Sequence, residues 1–258
     1  MPGLQARRRV SGRATVTTVA GRGSDVAARV EGLDWPAIEQ SLDERGFATT
    51  GPLLTPEECR ELTTLYGEER RFRSRVDMAR HHFGVGEYKY FAEPLPPLVA
   101  TVRTLVYPQL VPVATRWMAM LGKRERYPDD LEGLRALCAR HGQTRPTSLL
   151  LHYTAGGYNC LHQDLYGAVA FPLQLTCLLS EPGADFTGGE FLLVEQRPRQ
   201  QSRGEVVPLV RGEAVIFATR YRPAPGARGH YRATLRHGVS RLRSGERYAL
   251  GIIFHDAE

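Results

Sequence analysis

Long apolar runs are missing from this 258-residue chain. None approaches the roughly 18 residues that a membrane-crossing helix needs, so no membrane span is expected. The N-terminus lacks the apolar core of a secretory signal, so no leader is expected either. Cysteine is scarce: Cys59, Cys138, Cys160 and Cys177 are widely separated and form no CxxC pair. That argues against a zinc knuckle or a disulfide framework and fits a reduced, cytoplasmic protein. Lysine is scarcer still, with Lys89 and Lys123 the only two among 34 basic residues, a compositional bias. No Gly-x-Ser-x-Gly surrounds Ser148, Ser180 or Ser240, and no Walker-type glycine loop is present, which removes a serine hydrolase and a P-loop enzyme.

What charge there is lies unevenly. The net charge is +6, but residues 1–30 carry six arginines against Asp25 alone, leaving the rest near neutral. This arginine- and glycine-rich start has no aromatics and little apolar surface to offset ordering entropy, so residues 1–30 are expected to form a disordered basic tail.

The remainder, 31–258, reads as one α+β domain. Helical signals dominate to about residue 146. Asp34 caps a helix over 35–45 that ends at Gly46. Thr55-Pro56-Glu57-Glu58 is a capping box opening a helix to about residue 69. Apolar spacing predicts helices over 98–106 and 110–121, and another runs over 129–141 to stop at Gly142. From about residue 147 the pattern becomes short apolar or alternating runs separated by turn residues. Seven strands are predicted: 148–153, 171–179, 190–195, 205–209, 214–218, 231–237 and 247–255. Their number and spacing indicate a sandwich, barrel or jelly roll buttressed by an N-terminal helical layer.

His162-Gln163-Asp164 is an HxD pair. In extended backbone, side chains two apart point to the same side, so both can grip one cation. One more imidazole would complete a two-histidine, one-carboxylate face with open positions, a donor set that suits non-haem Fe(II). His237 closes a strand-like run just before Gly238 and is the expected third ligand. A lone HxD is a common chance tripeptide; its flanks give this one weight. From Tyr153 through Gly156-Gly157 to His162 come a strand, a glycine turn and the ligands. Arg247 follows His237 by ten residues, at the start of the last strand.

With these residues named, the second half of the chain resembles the iron(II)/2-oxoglutarate-dependent oxygenase superfamily. The shared pattern is HxD, a Gly-Gly-Glu strand entry (here Thr187-Gly188-Gly189-Glu190-Phe191), then a distal histidine with Arg or Lys about ten further on. The resemblance covers roughly 148–255 and implies a double-stranded β-helix, or jelly roll, with the metal at one mouth. It also implies Fe(II), 2-oxoglutarate as co-substrate and O2. Arg247 is then expected to hold the far carboxylate of 2-oxoglutarate through two parallel hydrogen bonds, with Tyr153 adding a phenolic one and Arg241 or Arg243 as further candidates.

A closer resemblance spans most of 33–257. The segments Phe72-Arg73-Ser74, Gly86-Glu87-Tyr88-Lys89-Tyr90-Phe91, Asn159 to Gly167, Glu195 to Arg199 and Arg236 to Arg241 are similar to a bacterial family, Oxygenase-NA. That family is related to the AlkB repair enzymes and is described as acting on damaged nucleic acid by oxidative demethylation. The Tyr153-to-His162 spacing is that of AlkB-type enzymes. Leu151 departs from them, since they carry asparagine there, so any co-substrate contact from that position is lost or replaced.

Two segments interleave arginines with aromatics, 70–91 and 220–236. Arginines hold phosphates and aromatics stack on unpaired bases, so single-stranded or damaged nucleic acid is the expected partner. His81-His82 read as a loop or lid feature. His152 is expected to point away from Tyr153 into packing, and His255 to be structural or exposed. Three functions compete: a nucleic-acid demethylase; a hydroxylase of protein side chains (prolyl-hydroxylase-like) or small molecules; and a non-catalytic jelly-roll module that binds metal without turnover.

Overall fold

A computed structural model describes residues 19–258. Five α-helices occur among the described residues: α1 Val19–Glu31, α2 Trp35–Arg45, α3 Pro56–Leu65, α4 Pro97–Met120 and α5 Leu131–Arg140. The strands in the first half are β1 Phe47–Pro52, β2 Phe72–Asp77, β3 Gly84–Val85 and β4 Glu87–Phe91. Those that follow are β5 Leu149–Thr154, β6 Tyr158–His162, β7 Leu173–Leu178, β8 Phe186–Gly188, β9 Phe191–Gln196 and β10 Arg203–Val207. The last four are β11 Glu213–Ala218, β12 Tyr221–Gly226, β13 Gly229–Val239 and β14 Leu242–Ile253.

The caps read from sequence hold the helices. Asp34 accepts from the Ala37 N–H, and Thr55 and Glu58 close the capping box of α3. Gly46 ends α2 in the left-handed region at φ 81°. A Cβ there would sit 2.4 Å from Cδ of the buried Arg222, so only glycine fits.

Three expectations need correction. Residues 1–30 are not disordered throughout, because α1 occupies Val19–Glu31; residues 1–18 lie outside the described part. Val26 and Val30, one turn apart, are buried, and Arg29 pairs with Glu58 at 2.6 Å, so tertiary contact pays the ordering cost that composition weighed against. Second, the segment 98–121 is a single helix. Pro108 and Pro112 lie inside α4, but both are exposed, as is Thr104, so the carbonyls they leave unbonded face water. Third, the region 31–146 is not purely helical. β1, β2, β3 and β4 join the sheets through long-range pairing, although runs such as Ala48-Thr49-Thr50-Gly51 carry little strand signal of their own.

The strands form two antiparallel sheets. The larger has eight, in the order β1-β11-β7-β14-β5-β4-β2 with β8 on β14; the smaller has six, β10-β9-β13-β6-β3 with β12 on β13. The expected α+β jelly roll with a helical layer is thus the fold. Helix α4 is packed against the larger sheet, with Tyr107 against Phe171 and Phe254 at 4.9 and 5.8 Å. Arg103 on α4 pins the chain end, pairing with buried Asp256 at 2.6 Å and donating to the Phe254 carbonyl. A separate apolar cluster including Phe186, Phe191, Val215, Phe217 and Leu242 joins residues of both sheets. Among the described residues no helix is long and apolar enough to cross a membrane.

Candidate active site

His162 ends β6 and His237 lies on β13, and the two are register partners in the smaller sheet. Their side chains therefore point to the same side, and the rings approach to 4.1 Å between centroids. Asp164 comes two residues after His162. Its Oδ2 is 3.2 Å from His237 Nε2 and its Oδ1 is 3.6 Å from His162 Nε2. One ligand atom from each of the three lies within 4.8 Å of the other two. This is the spacing that one divalent cation needs, with two imidazoles and a carboxylate on a single side.

Each ligand is held from behind. His162 Nδ1 lies 2.8 Å from the Cys160 carbonyl, and a proton donated there leaves the Nε2 lone pair for a cation. The His237 ring packs against Phe217 and Phe191 at 4.7 and 6.0 Å. The Tyr166 hydroxyl donates to Asp164 Oδ1 at 2.8 Å, and the Tyr90 hydroxyl donates to Tyr166 at 3.0 Å. Burial alone would raise the Asp164 carboxyl. The His237 imidazole, by charge and hydrogen bond, outweighs it with help from His162 and Tyr166, and holds Asp164 well below the usual carboxylate range. Burial, then the charge of His162, pushes His237 down. A carboxylate beside an imidazole that resists protonation is a ready donor set for a metal.

Tyr166 was not singled out from sequence. A signal existed: it stands two residues after Asp164, as Asp164 stands two after His162. Replacing Tyr166 with Phe removes one outer hydrogen bond and keeps the ring. Divalent-cation affinity should fall about 10-fold or more, as for other second-layer partners of metal ligands. Titration calorimetry with Co(II) or Mn(II) reads this directly, and wild-type affinity would show that Tyr166 does not orient Asp164.

The three residues line one cavity of about 340 Å³ between the sheets. Its floor includes β14, where the small Ala249 and Gly251 leave room between larger neighbours. Arg247 lines the same cavity, and its register partner on β5 is Tyr153. Both are buried, Arg247 at 2% and Tyr153 at 0% exposure. The guanidinium lies 5.7 Å from the Tyr153 ring and 5.8 Å from the Phe186 ring. Its Nε has no hydrogen-bond partner, and no carboxylate among the described residues forms an ion pair with it, Glu190 acting only from a longer range. Burial accordingly pushes its pKa down. A buried, unpaired cation is costly, and a carboxylate entering the cavity would relieve that cost. Gly189, at φ 64°, packs close: a Cβ there would lie 2.6 Å from Leu242 Cδ1 and 3.1 Å from Arg247 Cδ. The Gly-Gly turn of the sequence motif thus sits directly against the buried arginine.

Arg241 and Arg243 are exposed and do not line the cavity, which corrects the expectation that Arg241 binds there. Arg241 and Arg243 stand an even number of residues before Arg247, but the register shift between Leu242 and Ser244 breaks the alternation, and Arg241 lies over the Tyr158 ring at 5.1 Å. Leu151 does line the cavity, where its apolar side chain offers no hydrogen bond. Asn159, to which the sequence assigns no role of its own, donates to the Tyr153 hydroxyl at 3.3 Å. Gln174, also unnoticed, lines the cavity with its buried Nε2 unpartnered. No local pattern marks either residue. His152 stacks on Tyr248 at 4.3 Å, facing away from the cavity residues as expected. His255 is buried, and its Nδ1 accepts the Phe171 N–H, a structural role. His82 lines the cavity next to the rim residue Phe83.

A family model, Oxygenase-NA, described as "Oxygenase, catalysing oxidative methylation of damaged DNA", matches residues 86–257. An uncharacterised protein of Mycobacterium tuberculosis strain H37Rv is 50% identical over 167 residues, covering 65% of this chain and 72% of that protein. Its counterpart in strain CDC 1551 matches equally. Among solved structures, a Pseudomonas putida prolyl-4-hydroxylase superposes with a TM-score of 0.53 at 14% identity, over 87% of this chain and 99% of its own. A Trichoplax adhaerens prolyl hydroxylase, solved with a hypoxia inducible factor peptide fragment, gives 0.51 at 13%, over 93% and 94%.

Proposed function

Because the chain belongs to the Oxygenase-NA family of oxygenases, we propose that it is a 2-oxoglutarate-dependent, Fe(II)-dependent enzyme that removes N-methyl groups from the bases of damaged nucleic acid. The observation that carries this reading is the buried, unpaired Arg247 in the same cavity as His162, Asp164 and His237.

His162, Asp164 and His237 would hold Fe(II), a cation that suits two imidazoles and one carboxylate. Bound there, the metal and co-substrate supply oxidation of a C–H bond by O2, with succinate and CO2 as co-products. The protein's own part is binding and orientation. Arg247 grips the far carboxylate of 2-oxoglutarate with a forked pair of hydrogen bonds. Tyr153, steadied by Asn159, places a phenol beside it. Tyr166 fixes the Asp164 carboxylate, and Tyr88, Tyr90 and Leu151 wall the cavity against water. An N-methyl group hydroxylated on carbon collapses to formaldehyde and a bare base, a repair reaction.

The test is release of succinate and formaldehyde from 2-oxoglutarate, Fe(II) and a methylated single-stranded oligonucleotide. Unmethylated strand and His162→Ala serve as controls. Formaldehyde that depends on both methylation and His162 is the expected result. Succinate that is indifferent to methylation would move the substrate to proteins or small molecules. No succinate with any substrate would favour a metal-binding module without turnover.

A further inference from the structure

The mouth of the cavity opens onto a surface that the chemistry inside does not explain. Large exposed hydrophobic side chains number six among the described residues, and four of them, Phe83, Val85, Leu161 and Leu165, lie on the two segments that frame the metal triad. Backbone pairing joins the segments: Gly84 and Val85 pair with Asn159 and Tyr158, and the Cys160 N–H donates to the Phe83 carbonyl at 2.8 Å. Phe83 is 47% exposed and stacks on His81 at 5.3 Å with 23° between the rings. An apolar, aromatic rim in water marks a binding surface more often than an accident of packing.

Beside this rim the outer face of the smaller sheet is basic. His237 and its partner Leu193 point inward. Strand alternation therefore turns Arg232, Thr234 and Arg236 of β13, with Leu192, Val194 and Gln196 of β9, to the outer face. None of these is acidic. Tyr221 pairs with Thr234 on that face, and the guanidinium groups of Arg220 and Arg232 both lie over its ring, at 4.4 and 4.5 Å. No carboxylate among the described residues pairs with Arg220, Arg232 or Arg236. Other surface arginines do find acids, as Arg60 does with Glu57 and Arg116 with Asp43. The basic face is also tied to the metal loop. Gln163, between His162 and Asp164, donates to the Leu235 carbonyl at 2.7 Å and the Arg220 carbonyl at 3.3 Å.

We propose that this face, from Phe83 and Leu161 at the mouth to the Arg220–Tyr221–Arg232 stack, docks a single-stranded nucleic acid. Phosphates lie on Arg220, Arg232 and Arg236, and an unpaired base lies against Phe83. The inference rests on the proposed nucleobase substrate and extends it to named contacts. β6 and β12 lie end to end along one edge of β13, paired at His237 and Thr234, three residues or about 10 Å apart along the strand, so the positive charge begins next to the mouth. A base buried in an enclosed cavity must leave its stack, which a single strand allows at least cost. Charge complementarity favours a polyanion, and the aromatic rim favours one that carries flat apolar rings.

The test is fluorescence anisotropy of an unmethylated, labelled single-stranded oligonucleotide across a salt series, which needs no turnover. With three phosphate contacts removed, the combined variant Arg220→Ala, Arg232→Ala, Arg236→Ala should lower the slope of log affinity against log salt by about 2. Phe83→Ala should weaken binding roughly 5- to 100-fold with the slope unchanged. Arg60→Ala, on another face, should bind as wild type, and circular dichroism checks that each variant is folded. Wild-type slope in the triple variant would overturn the docking surface, whatever the formaldehyde assay gives. So would arginine-dependent binding of a poly-glutamate peptide at equal affinity, which would assign the face to acidic protein. Absence of methyl-dependent formaldehyde, with the arginine-dependent slope intact, would instead overturn the demethylase reading and leave the surface standing.

Discussion

Arg247→Met should cost about 2–4 kcal/mol of 2-oxoglutarate binding, roughly a 30- to 1000-fold rise in Kd, while leaving the protein without co-substrate as stable as before or slightly more so. The two signs have one cause. Arg247 is buried with no carboxylate partner among the described residues, so its charge is a burden until an anion arrives. Methionine fills much of the same space with no charge to desolvate. The contrast is Arg103, which is just as buried but paired with Asp256 at 2.6 Å. Arg103→Met leaves the buried Asp256 carboxylate with only Arg135, at 3.4 Å, and should destabilise by about 2–3 kcal/mol, lowering Tm by roughly 4–12 °C. Calorimetric titration of 2-oxoglutarate, with Mn(II) in place of Fe(II), and thermal unfolding of both variants check the pair. Normal co-substrate binding by Arg247→Met, with loss in Arg241→Ala, would show that the wrong arginine carries the role. A large fall in Tm for Arg247→Met would show that the guanidinium has a structural task instead.

Asp164→Ala should abolish iron-dependent succinate release and reduce divalent-cation affinity by more than about 100-fold. Changes one layer further out already cost about 10- to 100-fold, and this one removes a ligand with its charge. Asp164 supplies the only carboxylate within 4.8 Å of the two imidazoles among the described residues, so no neighbour can replace it. A chelator applied to the wild type should give the same loss, restored by added Fe(II). His141→Ala, at an exposed histidine away from the cavity, should bind metal normally. If Asp164→Ala keeps wild-type cation affinity, the metal centre lies elsewhere and the triad is a packing feature.

Much of the site was legible because its signals are local or short in period. HxD puts two donors on one side of an extended segment, and the Gly-Gly turn before β9 marks a close approach of backbone to Arg247. The caps Asp34, Thr55 and Gly46 fixed helix ends for the same reason: each is a hydrogen bond or a dihedral within a few residues. The β-rich second half was visible from its turn residues.

Only the tertiary structure decided the rest. Strand pairing across 75 residues brings His237 beside His162; sequence could nominate a distal histidine, but only the β13–β6 register sets the two rings on one side. Whether Arg241 or Arg247 enters the cavity was decided by the register shift between Leu242 and Ser244, because unbroken alternation would turn both to one side, and the sequence does not mark that shift. The same holds for α1 and β1 through β4, whose weak intrinsic signals were overridden by burial of Val26 and Val30 and by pairing with distant strands. Asn159, Gln174 and the acid-free outer face of β9 and β13 belong to this second group. Each acquires its meaning from neighbours far away in sequence, because hydrogen-bond satisfaction and charge pairing are properties of the packed surface and not of the chain.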